Sequence, residues 1–173
     1  MPLESMEDLF LNELKDVYNA EKQILRALPR MAKAVASPEL QRAFTKHLRE
    51  TEGQVQRLER IFKALGHAAR GKKCKGMEGL IEEGKEILEE EGAPEVIDAA
   101  LISAAQRVEH YEIAAYGCLR AYAQLLGYDE ADRLLEQTLH EEEATDKALT
   151  SLGEGGINQA AVAAGSAGEA EED

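Results

Sequence analysis

Carboxylates recur at positions of this sequence where a helix facing a core should carry Leu or Ile. In "RVEHYEIAAYGCLRAY", residues 107–122, an apolar stripe runs Val108, Tyr111, Ala115, Leu119, Tyr122 at helical spacing, and Glu112 falls on it with Glu109 beside it. An unpaired buried carboxylate is costly, so such a residue needs a partner. The same interruption occurs three more times. Glu21 is in phase with Leu14, Tyr18, Leu25 and Leu28; His47 and Glu50 lie between Phe44 and Val55; Glu142, Glu143 and Asp146 lie between Leu139 and Leu149.

Spacing along the chain gives these residues a common depth. Glu21 stands sixteen residues before Ser37 and Glu50 thirteen after it, while Glu112 stands sixteen before Tyr128 and Glu143 fifteen after it. At about 1.5 Å per residue, each helical hairpin brings its acids to nearly one level. With both hairpins level, at least five carboxylates and one imidazole converge in mid-bundle. Such a cluster cannot stay ionised without cations, and two hard or borderline divalent metals bridged by carboxylates satisfy it. One Glu beside a stripe ordinarily reaches water; acids at matched depth on four helices argue for a shared site.

The elements that must position them follow from punctuation. A first helix runs from about Met6 to Ala36, with Pro29 predicting a kink or break inside it. "SPEL" supplies Ser37 as N-cap and Pro38 at the first helical position of a second helix, which stops at Gly66. After the basic loop "GHAARGKKCKG" come a short helix, roughly Met77 to Glu91, and a third long helix from Pro94 to Leu126. The last long helix starts near Asp129 and reaches about Leu152. Tight turns make two antiparallel hairpins, and the link of nearly thirty residues between them can cross the whole bundle. The fold class is therefore all-α: a ferritin-like four-helix bundle over residues 1–153, followed by a Gly/Ala-rich acidic tail, 154–173, whose composition reads as disorder.

Composition agrees and excludes much else. The 173 residues are 44% hydrophobic and 31% charged, with no Trp, which suits one helical domain with a real core. A formal charge of −14 argues against nucleic acid or an anionic membrane as partner. No apolar run approaches a membrane span, "MPLESMEDLF" lacks the features of a signal peptide, and Cys74 and Cys118 lie outside metal or disulfide-framework spacing. A cytoplasmic location is expected.

The stretches "LKDVYNAEKQILRALPRMAKA", "HLRETEGQVQRLERIF", "VEHYEIAAYGCLRAYAQLLG" and "LHEEEATDKALTSL" resemble the four helices of YciF-type ferritin-like stress proteins, over about residues 5–153. The wider superfamily, which includes ferritin and rubrerythrin, binds two irons inside this bundle through one Glu and then Glu-x-x-His, repeated in each half. The resemblance implies metal ligation by Glu21, Glu50, Glu109, Glu112 and Glu143, with Asp146 where a histidine is expected. Glu142 competes with Glu143, since both touch the stripe. The pattern departs at Gly53, where the superfamily has His; His47, one turn on the other side, can reach the same centre, as can Gln54.

A site so poor in nitrogen favours two iron or manganese ions over zinc. The implied function is redox chemistry on dioxygen or peroxide in a stress response, with no separate catalytic residues; the alternative is a non-catalytic helical stress protein with a structural metal site. Cage-type iron storage is not expected, because the tail is too Gly-rich to supply a further packing helix. Tyr18, Tyr111 and Tyr116 are candidates to hydrogen-bond metal-bound carboxylates, and Cys74 among its lysines is a minor candidate for redox sensitivity. His67, His110 and His140 read as surface residues. Leu9, Phe10, Ile81 and Leu88 lie off the inner stripes and predict a symmetric homodimer.

Overall fold

The computed structural model describes residues 3–169. Helix α1 spans Met6–Ala34, capped by Ser5, whose hydroxyl accepts from the Asp8 amide at 3.0 Å. Pro29 sits inside α1 without ending it, exposed near its last turns. Helix α2 spans Pro38–Ala64, with Ser37 as N-cap and Pro38 in the first turn, as the "SPEL" stretch requires. It closes on Gly66, whose positive φ of 72° lets His67 N–H reach the Phe62 carbonyl at 2.9 Å.

Helix α3, Lys75–Glu89, lies in the crossover and packs on α1 and α4. Helix α4, Pro94–Leu125, ends on Gly127 (φ 70°) in the same way, with Tyr128 N–H donating to Ala123 at 2.9 Å. Helix α5 spans Asp129–Leu152. The α1–α2 and α4–α5 hairpins pack side by side through α2–α5 and α1–α4 contacts.

Two contacts set the hairpins level. Asp98, in the first turns of α4, accepts from the backbone amides of Ala36 (2.9 Å) and Ser37 (2.7 Å) at the α1–α2 turn. At the other end Phe10 of α1 meets Tyr128 of the α4–α5 turn edge to face, with ring centroids 5.6 Å apart. Phe10 is 1% exposed. Sitting four residues before Leu14, it continues the inner stripe, so it is core rather than part of an outer dimer strip. Leu9, Ile81 and Leu88 are half-buried.

The tail differs from its composition. A π-type turn, Gly153–Ile157, leads into α6, Asn158–Glu169, which packs against α4. Ala dominates α6 and is the best helix former, and docking on α4 supplies what the Gly-rich sequence lacks. The last four residues of the acidic tail lie outside the described residues. No helix among the described residues is long and apolar enough to cross a membrane.

Apolar side chains form two clusters. One gathers Phe10, Leu14, Leu58, Phe62, Leu119 and Leu135 toward the Gly66 and Gly127 turns. The other gathers Leu28, Leu40, Phe44, Leu101 and Leu149 toward the Ser37 turn. A polar layer separates them.

Candidate metal centre

That layer is built from one position on each of α1, α2 and α5 and two on α4. Glu21 of α1, His47 of α2, Glu109 and Glu112 of α4 and Glu142 of α5 are each no more than 2% exposed. One donor atom from each of His47, Glu109, Glu112 and Glu142 lies within 4.8 Å of the others. His47 Nε2 is 3.3 Å from Glu109 Oε1 and 3.8 Å from Glu142 Oε2. Glu21 adjoins the group, with Glu112 and Glu142 as its neighbours.

Electrostatics here disfavour ionised carboxyls. Burial first, and then the neighbouring carboxylates, push the Glu21, Glu109 and Glu112 carboxyls well above the usual range. Buried polar atoms without a hydrogen-bond partner include Glu21 Oε2, His47 Nε2, Glu109 Oε2, Glu142 Oε2 and both Glu112 oxygens. Native interiors rarely leave such atoms unmet. Their convergence from four helices fits the removal of charge by cations. Four carboxylates carry −4 when ionised, and two divalent ions carry +4, so the donor set matches a metal pair in charge.

Surrounding side chains orient the cluster. The buried Tyr116 hydroxyl donates to Glu21 Oε1. Gln54 Nε2 donates to Glu142 Oε1 and to Glu141 Oε2, the latter at 3.1 Å. Arg57 holds Glu141 through a bidentate pair at 2.6 and 2.7 Å, which fixes α2 against α5 one turn away. Thr145 Oγ1 stands 3.3 Å from His47 Nδ1; with Nδ1 protonated toward Thr145, the free lone pair of His47 is at Nε2, facing the acids.

Three sequence candidates fall outside the compact group. Glu50 is at its edge, 20% exposed, with Oε1 taken by Lys46 and Oε2 buried without a hydrogen-bond partner, 3.8 Å from His47 Nδ1; His47 first and then Lys46 hold its carboxyl below the usual range. Glu143 is half-buried and outside the group, whereas Glu142 is inside it. Asp146 takes Gln106 Nε2 and exposed His110 Nε2, each at 3.2 Å. The cause is shared. Buried positions on α2 run His47, Thr51, Gln54, and on α5 Thr138, Glu142, Thr145. Glu50, Glu143 and Asp146 each sit one residue from a buried position, about 100° around the helix.

Of the three tyrosines, only Tyr116 meets a cluster carboxylate. Tyr18 donates to Glu59 at 2.8 Å and Tyr111 to Asp16 at 2.7 Å. Cys74 is buried as the N-cap of α3, 2.9 Å from the Tyr111 hydroxyl, and burial raises its thiol pKa. That is the opposite of a redox-sensitive thiolate.

Two hairpins, a crossover between them and carboxylates in the middle layer define a ferritin-like helical bundle. A family model described as a domain of unknown function, DUF892, matches residues 5–162, and the chain belongs to that family. It is 47% identical to protein YciF of Escherichia coli K12 over 162 residues, covering 93% of this chain and 98% of that protein. The crystal structure of that protein, described as a stress protein, aligns with a TM-score of 0.86 over 90% of this chain and 98% of the other. YcfI of Rhodopseudomonas palustris, for which a structural role has been suggested, aligns at 0.84 with 44% identity, covering 86% and 95%. A Xanthomonas campestris protein at 22% identity and TM-score 0.75, covering 91% and 97%, shares the fold.

Proposed function

We propose that this chain is a dinuclear metal carboxylate protein that holds two ferrous or manganous ions among Glu21, His47, Glu109, Glu112 and Glu142. The observation that carries the reading is the set of six buried, partnerless donor atoms on these five residues. When bound, such a metal pair supplies electrons to dioxygen or hydrogen peroxide. One imidazole among five donors makes the site oxygen-rich, which favours iron or manganese over zinc.

The chain's own residues bind, orient and exclude water. Glu21 Oε1 is held by Tyr116, which leaves Oε2 for a cation; Glu142 is likewise held through Oε1 by Gln54, which leaves its Oε2. Glu109 and Glu112 follow one another by three residues on α4, so both reach the layer from one helix face. The apolar clusters above and below keep bulk water from the layer and strengthen its electrostatics. A role in stress is carried over from the Escherichia coli relative, described as a stress protein, and rests on that likeness.

A second reading, a structural metal clip without turnover, is favoured by the role suggested for YcfI. Stopped-flow mixing of ferrous-loaded protein with hydrogen peroxide separates the two. Oxidation of ferrous ion well above the rate of protein-free solution supports the redox reading, and an unaccelerated rate supports the clip.

A further inference from the structure

A cavity of about 330 Å³ opens between α1, α3 and α4 and reaches the carboxylate layer at His47 and Glu109. Its walls are apolar: Ile24 and Leu28 of α1, Phe44 of α2, Leu80 of α3, Ala105 and Val108 of α4. That volume lies at the lower end of the range for small-molecule sites, and so does its composition of apolar walls with few polar groups. Its inner end is polar, since His47 and Glu109 are 2% exposed. Its rim carries Arg26, Arg30 and Lys85.

The rim is unusual for a chain of net charge −14. Lys85 pairs with Glu82 at 3.3 Å, but neither Arg26 nor Arg30, both exposed, has an acid within salt-bridge distance among the described residues. Gly84 points the same way. It lies inside α3, where Gly costs about 1 kcal/mol relative to Ala. A Cβ built there would meet only the Ala104 Cβ at 3.9 Å, an ordinary contact. Close packing therefore does not demand glycine, and the missing side chain leaves open space in the cavity wall.

We propose that this cavity binds a medium-chain aliphatic carboxylate, with its head at Arg26 and Arg30 and its alkyl chain running inward toward His47 and Glu109. The orientation follows from charge. The two arginines attract a carboxylate at the rim, and the apolar walls inward of them suit only the alkyl chain. The pocket itself does not depend on metal. Only a role for the occupant as a substrate of the centre rests on the dinuclear reading above.

Calorimetric titration of metal-free and metal-loaded protein with saturated carboxylates from hexanoate to dodecanoate tests this, with metal uptake measured on the same samples. Burying a methylene is worth about 0.8 kcal/mol, or roughly fourfold in affinity. Affinity should climb by about that factor per carbon until the cavity fills, then level off. Arg26→Ala with Arg30→Ala should weaken carboxylates about tenfold and leave the matching alcohols unchanged. Gly84→Leu should abolish uptake of both, with Gly84→Ala, which adds only one methyl group at ordinary contact distance, as the folded control that still binds. No binding at millimolar ligand, no dependence on chain length, or equal binding of acid and alcohol by the wild type would overturn the proposal. Ligand uptake without metal uptake would sink the dinuclear reading alone, and the reverse would sink the cavity assignment alone.

Discussion

His47 Nε2 on α2 lies 3.3 Å from Glu109 Oε1 on α4, joining the two hairpins across the middle of the bundle. The approach is not a hydrogen bond, since Nε2 remains without a partner, as does Glu109 Oε2. Two helices thus present bare donors to the same point, with Glu112 and Glu142 beside them.

Metal-free stability should carry the mark of these acids in its pH dependence. Glu21, Glu109 and Glu112 have folded pKa values raised above the ordinary value of 4.5, chiefly by burial. The native state then binds more protons than the unfolded state above pH 4.5. Their contribution is fully present below that pH and is lost as pH rises through the folded values. Glu112→Gln, neutral at every pH, should therefore gain stability relative to wild type as pH increases from 4.5 to 8. Denaturant melts in the presence of a chelator measure the difference, and parallel curves would mean that Glu112 is not strained by its charge.

Glu142 and Glu143 should behave differently despite being adjacent. Loss of a ligand typically removes most of the affinity, whereas a half-buried acid outside the cluster contributes little. Glu142→Ala should abolish binding of manganous ion in equilibrium dialysis, and Glu143→Ala should bind as wild type does.

That pair also marks the limit of what could be read from the chain. Hairpins, crossover and the inward acids Glu21, Glu109 and Glu112 were legible, because stripe phase and distance from Ser37 and Tyr128 place them. The choice between neighbours on α2 and α5 was not. Three stripe positions leave a residue's phase uncertain by about the 100° that separates Glu142 from Glu143. Counting outward from Thr138 and Thr145, both buried, would have favoured Glu142. Helix α6 was hidden for another reason: its Ala-rich sequence has little amphipathic signal, and its docking on α4 is a tertiary effect.

Tyr116→Phe should weaken metal binding while leaving every donor in place. Its hydroxyl orients Glu21 through Oε1, and losing such a supporting contact costs about 10–100-fold in affinity. Competition titration against a chelating dye reads this directly; unchanged affinity would reduce Tyr116 to core packing.

Asp98→Ala provides the control for distance from the centre. It removes the acceptor of the Ala36 and Ser37 amides, so the fold should lose roughly 1–3 kcal/mol. The loss should be the same with and without metal, as measured by urea unfolding. A loss that grows on metal loading would show that the hairpin register and the site are coupled.

The most direct measurement is thermal unfolding of wild type and Glu112→Gln, with and without ferrous or manganous ion under anaerobic conditions. A ligand that binds only the folded state at a hundred times its Kd adds about 2.7 kcal/mol. The wild type should therefore melt several degrees higher with metal, and Glu112→Gln should gain much less. Equal shifts in the two proteins, or no shift in either, would contradict a metal centre built on Glu112.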